Sequence, residues 1–162
     1  MTSTQDRIDL ESYLSKHVAA EAISSPGVPL LMLTCMDSRY PHRILDTMDS
    51  LGLRGKYDQL ILAGASLGVV LKEGWRNTFM DQLEFAIEHH HVSQVLILDH
   101  RDCGAYKHFL GVSPDDPAKE KQAHDEKAQE AAQEIVVRFP ELSGKVRALL
   151  LPIETVEELA IS

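Results

Sequence analysis

Cysteine is scarce: the 162-residue chain holds two, Cys35 and Cys103. Two thiols so far apart make no disulfide framework, so each needs its own explanation. Positive charge is scarce too. Sixteen lysines and arginines against 25 aspartates and glutamates give a formal net charge of −9, which argues against a nucleic-acid partner, since phosphate recognition asks for a basic face. No apolar run is long enough to span a bilayer. The opening MTSTQDRIDLESYL has neither the basic start nor the apolar stretch of a secretory signal. The expected location is therefore cytoplasmic, without membrane contact. Internal repeats and long linkers are absent as well. A chain of this length, with 44% hydrophobic residues, is expected to form one domain over residues 1–162.

What the sequence does contain is alternation. Residues 6–23 place Leu10, Tyr13, Leu14 and Val18 on one helical face, with Asp6 as N-cap, before SSPGVP breaks the pattern. The spacing then predicts a buried strand over 28–34, a short helix over 42–51 ending near Gly52, and a second strand over 57–64. A helix over 75–90 carries Phe79, Leu83, Ala86 and Ile87 on one side. A third strand follows over 92–99, a long helix from Pro117 to about Arg138, and a fourth strand over 145–151; the tail ETVEELAIS is ambiguous. The charge run AKEKQAHDEKAQEAAQE, residues 118–134, reads as a solvated helix face. This order predicts an α/β fold with a central, mostly parallel β-sheet flanked by helices.

In such a sheet, ligands bind beyond the carboxyl ends of the strands. Three of those ends carry unusual residues: Thr34 to Arg39 (TCMDSR), Ala63 to Gly68 (AGASLG) and Asp99 to Gly104 (DHRDCG). If neighbouring ends meet, Cys35, His100 and Cys103 form a three-ligand zinc set with an open fourth position. Against this, a free cysteine is often a small buried hydrophobe, but the charged neighbours Asp37, Arg39 and Asp102 do not suit an inert thiol. A phosphatase-type loop would need arginine where Pro41 stands, and the C-x-x-C of a redox pair is missing. A metal-free redox thiol protein ranks low for that reason. The glycines of AGASLG lack the lysine of a phosphate-binding loop and read as a tight turn lining the site.

Together, Cys35-Met36-Asp37-Ser38-Arg39 and His100-Arg101-Asp102-Cys103-Gly104 resemble the β-class carbonic anhydrases, in their compact, archaeal-type branch. The likeness runs from about Val28 to Leu110 and includes DQLEFAI at 81–87. It implies one Zn2+ per chain on Cys35, His100 and Cys103. It also implies an acid–base pair in which Arg39 holds Asp37, while Asp37 accepts a hydrogen bond from zinc-bound water or swings onto the metal and closes the site. The implied activity is reversible hydration of carbon dioxide to bicarbonate by a zinc-bound hydroxide, that of a lyase. The implied assembly is a homodimer or higher homo-oligomer, with the N-terminal helical arm (about 6–23) packed across a partner. The family's R-N-A-G-N segment is altered here to Ile61-Leu62-Ala63-Gly64-Ala65-Ser66. That change makes Leu62, Gly64 and Ala65 an apolar pocket wall suited to CO2 or to its sulfur analogues COS and CS2. It equally motivates the alternative of a homologue that keeps zinc with weak or no hydration, in a structural or regulatory role. His89, His90 and His91 read as a helix C-terminus, where imidazoles sit well against the dipole. His42 and His108 read as solvated surface residues, and Trp75 as the anchor of a helix start.

Overall fold

The computed structural model of the chain describes residues 9–151 and 157–161; the expected Asp6 cap lies outside them. Its strands are β1 (Leu30–Thr34), β2 (Tyr57–Ile61), β3 (Gln94–His100), β4 (Val146–Leu151) and the short β5 (Glu157–Glu158). They form one sheet in the order β2-β1-β3-β4-β5, with β1 to β4 mutually parallel and β5 antiparallel to β4. The helices are α1 (Leu10–Leu14), α2 (Ala20–Ser24), α3 (Pro41–Ser50), α4 (Ser66–Leu71), α5 (Glu73–His90), α6 (Gly104–Leu110) and α7 (Pro117–Arg138). The expected mostly parallel sheet between helices is thus the observed architecture.

Side chains alternate across the strands and so feed two cores. Leu31, Leu33, Val95, Ile97, Ala148 and Leu150 face one side, packed with Phe79, Leu83 and Ala86 of α5 and Ala128, Ala131 and Ile135 of α7. Leu30, Met32, Leu96, Leu98, Leu149 and Leu151 face the other, against α1, α2 and α3. Burial on both faces explains why β1 and β3 read as unbroken apolar runs. The edge strand β2 is only partly covered and stops at Ile61, so the expected strand to Gly64 gives way to a turn, with Ala65 N–H donating to the Leu62 carbonyl at 3.0 Å.

Two expectations need correction. The N-terminal arm is a helix from Leu10 to Ser24 with a π-helical turn at Ser15–Ala19. Within the described residues Asp9 caps it, its carboxylate accepting the Ser12 N–H at 3.1 Å. Its apolar face, Leu10, Tyr13, Leu14 and Val18, is buried on the chain's own sheet; an amphipathic stripe records that a face is covered, not by which chain. The second correction concerns α7. Its charge run is not a wholly solvated face, because Glu120, His124, Ala128 and Ala131 within it are buried and, with Ile135 just beyond, form a stripe of helical period.

Candidate metal centre

The register of the sheet brings the three strand ends together. β1 lies between β2 and β3, with Thr34 paired to Ile61 on one side and Leu98 on the other. Strand order reverses around β1, the place where open α/β sheets leave a crevice. Cys35 emerges there beside the turn after β2. The Gly64 N–H donates to its sulfur at 3.3 Å. Gly64 has φ +78°, and a Cβ on it would come within 3.0 Å of Leu67 Cβ and 3.2 Å of Ala105 Cβ, so glycine alone permits this approach. His100 is the last residue of β3, and Cys103 is the N-cap of α6. Asp102 between them takes a left-handed conformation, φ +55°, which aspartate tolerates better than most residues.

The sulfur, imidazole and sulfur of Cys35, His100 and Cys103 lie within 4.8 Å of one another. The two sulfurs are 4.0 Å apart, and both cysteines are free thiols. His100 Nδ1–H donates to the Arg101 carbonyl at 2.7 Å, and its ring stands 4.5 Å from that of Tyr40. This fixes the tautomer and turns Nε2 toward the sulfurs. Nε2 is buried without a hydrogen-bond partner among the described residues. A buried nitrogen lone pair left bare is costly, and a cation shared with two thiolates would satisfy it. Two thiolates on one tetrahedral zinc lie about 3.8 Å apart, close to the separation found. The donor set and its spacing therefore fit zinc.

The electrostatics agree. The neighbouring Cys103 thiol brings Cys35 down to about 4; against the opposing effect of burial, His100 and the Gly64 N–H act in the same direction. The contact with the Cys35 sulfur pushes the Cys103 thiol up, and burial adds to it. Burial pulls His100 down, but the Cys35 sulfur, the Arg101 carbonyl and Asp37 outweigh it and leave the ring above its ordinary value.

Beside this cluster, Arg39 holds Asp37. Its backbone N–H and Nε donate to Asp37 Oδ1 at 2.9 and 3.0 Å, and its guanidinium reaches Oδ2 at 2.8 Å. These bonds from Arg39 hold the Asp37 carboxyl at about 2. Arg39 is itself gripped from behind by Asp102, through the carboxylate at 3.0 Å and the main-chain carbonyl at 2.9 Å. Asp37 Oδ2 stands 3.7 Å from His100 Nε2, and Asp37 itself is partly exposed.

Of the expected wall residues, Gly64 touches Cys35 through its N–H, Leu62 is half-buried against the core, and Ala65 is wholly buried within it. His42, His89, His91 and His108 are exposed, while His90 pairs with Asp58 at 2.7 Å. Trp75 lies in the first turns of α5, edge-on to Phe109 at 6.4 Å.

The residues that sequence reasoning missed come from α7. Glu120 accepts from Arg101 at 2.8 Å and from the Asp102 N–H at 2.7 Å. One turn on, His124 Nδ1 meets Asp99 Oδ2 at 2.7 Å and stacks on Tyr106. Asp99 is fully buried and also accepts from the Ser66 N–H and hydroxyl and from the Tyr106 hydroxyl. Both partners flank His100. The available signal was the i, i+4 placement of Glu120 and His124 in line with Ala128.

Residues 30–149 match the family model described as carbonic anhydrase. An uncharacterised protein of Rickettsia bellii is 34% identical over 131 residues, 79% of this chain and 79% of that protein. Another, of Rickettsia conorii, is 34% identical over 131 residues, 79% of this chain and 69% of its own length. Among solved structures, the β-carbonic anhydrase CafA of Aspergillus fumigatus shares the fold with a TM-score of 0.55, over 84% of this chain and 77% of that one, at 19% identity.

Proposed function

Since the chain belongs to the carbonic anhydrase family and shares the fold of a β-class carbonic anhydrase, we propose that it is a zinc-dependent lyase interconverting carbon dioxide and bicarbonate. The observation that carries this reading is the cluster itself: Cys35, His100 and Cys103 converge with a bare, buried Nε2, beside a carboxylate fixed by arginine. These three residues would hold the metal. Zinc supplies Lewis acidity that lowers the pKa of water to about 7, a behaviour for which a carbonic anhydrase is the standard example.

The chain's own residues do the rest. Asp37 stays ionised and accepts a hydrogen bond from the reacting water, turning a lone pair toward the carbon of CO2. Arg39 fixes the carboxylate's orientation, and Asp102 fixes Arg39. The Gly64 N–H holds the Cys35 sulfur in place, and the Arg101 carbonyl holds the His100 ring. The half-buried Leu62 lies beside the turn where carbon dioxide, an apolar substrate, would enter.

Assembly into homodimers is part of the same proposal. Ile61, the last residue of β2, and Met36, two residues beyond β1, are 55% and 69% exposed and offer apolar surface that a second copy would cover; a monomer in sedimentation analysis would reject it. Cytoplasmic residence would keep both thiols reduced. Among the described residues no helix is long and apolar enough to cross a membrane.

The test is stopped-flow CO2 hydration on protein of verified zinc content, from neutral to alkaline pH. Hydration that rises with pH supports the reading. One zinc per chain without hydration redirects it to COS or CS2, or to a non-catalytic zinc protein.

A further inference from the structure

One peptide group in the site is hydrogen-bonded at both ends. The carbonyl of Arg101 accepts the His100 Nδ1–H at 2.7 Å. The N–H of the same peptide, belonging to Asp102, donates to Glu120 Oε2 at 2.7 Å. Glu120 is 3% exposed. A carboxylate buried so deeply is costly unless paired and hydrogen-bonded, and here Arg101 supplies the pairing charge at 2.8 Å.

We propose that Glu120 is a positioning residue for the metal centre, acting on His100 through the Arg101–Asp102 peptide group. The argument is electronic and geometric. An anion drawing on an amide N–H enriches the amide oxygen, because the two are joined by resonance. A richer oxygen holds the imidazole N–H more strongly, and hydrogen bonds in series reinforce one another by about 10–30% each. Electron density on the far nitrogen, Nε2, rises accordingly. A carboxylate bonded directly to a ligating histidine is the usual means of raising ligand basicity and fixing the ring; here a peptide group carries the same influence one step further. Glu120 also anchors the loop where Asp102 is left-handed, and Asp102 in turn grips Arg39. One buried side chain on α7 thus stands behind both the candidate ligand and the acid–base pair.

The inference rests on the zinc reading above, and its test separates the two. Wild type, Glu120→Gln, Glu120→Ala and the core trim Ile135→Val, about 22 Å further along α7, are loaded with Zn2+. Zinc affinity is measured by chelator competition, and the His100 ring resonances by 1H–15N NMR. Loss of an outer-shell partner typically weakens metal binding by about 10- to 100-fold, and that loss is expected for both Glu120 variants, with a shifted His100 Nδ1–H signal in Glu120→Gln. Ile135→Val is expected to stay within about threefold of wild type, well below that effect. Should Glu120→Ala not fold, the isosteric Glu120→Gln and its His100 signal decide. Unchanged zinc affinity in Glu120→Gln overturns the inference, as does lost affinity with an unmoved His100 signal, or equal loss in Ile135→Val. Wild type that takes up no stoichiometric zinc overturns the metal reading and this inference with it; zinc-binding wild type with an indifferent Glu120→Gln overturns this inference alone.

Discussion

Three N–H groups of a single residue, Arg39, hold the Asp37 carboxylate. One of them is main chain, so the pair is set by the turn as well as by charge. Asp37→Asn keeps the shape and removes the anion. Carbon dioxide hydration should fall by about 100-fold or more, the range for losing a positioned proton acceptor, while zinc content stays at the wild-type level. Full activity in stopped flow would remove Asp37 from the mechanism. The thiols make a second prediction at this scale. With its pKa lowered to about 4 by the neighbouring Cys103 thiol, Cys35 in zinc-stripped protein is expected to be thiolate at neutral pH. Its alkylation rate should be flat from about pH 6 to pH 8, where an ordinary thiol would gain about tenfold per unit. Mass spectrometry of the labelled peptide reads this directly, and zinc should suppress the reaction at both cysteines. A rate that climbs with pH would show that the shared proton sits on Cys35 instead.

At the scale of the element, α7 is informative because its buried stripe ends in two polar residues. Ala128 and Ala131 are fully buried, and their small side chains let the helix lie close to the sheet and to α4. Ala131→Leu should cost about 1–3 kcal/mol by overpacking, and the exposed Glu126→Ala less than about 0.5 kcal/mol, both read from denaturant unfolding. Equal effects would mean the stripe carries no packing. The same helix marks the limit of what the sequence shows. β1 and β3 were legible because apolar burial on both faces is a local signal. Cys35, His100 and Cys103 were legible because their types and spacing are. Glu120 and His124 were not, because a polar side chain reads as solvated until its partner is known, and Arg101, Asp102 and Asp99 lie on another segment. The short α4 and α6, with six and seven residues, carry too few turns for periodicity to register. The helical arm was legible as an amphipath, but periodicity cannot say whose sheet it covers.

At the scale of the molecule, two cores clamp one sheet, and the candidate site lies along its carboxyl edge, where β1, β2 and β3 end. A ligand that binds only the folded arrangement stabilises it by mass action. Removing zinc with a chelator should therefore lower the melting temperature, and free zinc at about 100 times its Kd should restore about 2.7 kcal/mol. Calorimetry with and without zinc checks this; identical transitions would deny the metal any hold on the folded state.

The 68-position separation of Cys35 and Cys103 also measures time on the ribosome. At about 5–20 residues per second, the first thiol waits several seconds for the second, and longer for the helix that carries Glu120. Parallel pairing of β1 with β3 has the same delay built in, since no short turn can join them. A half-synthesised chain thus offers a metal only one thiol and no enclosure. Capture of a metal by all three candidate ligands must therefore wait until His100 and Cys103 have been made and the ends of β1 and β3 have met.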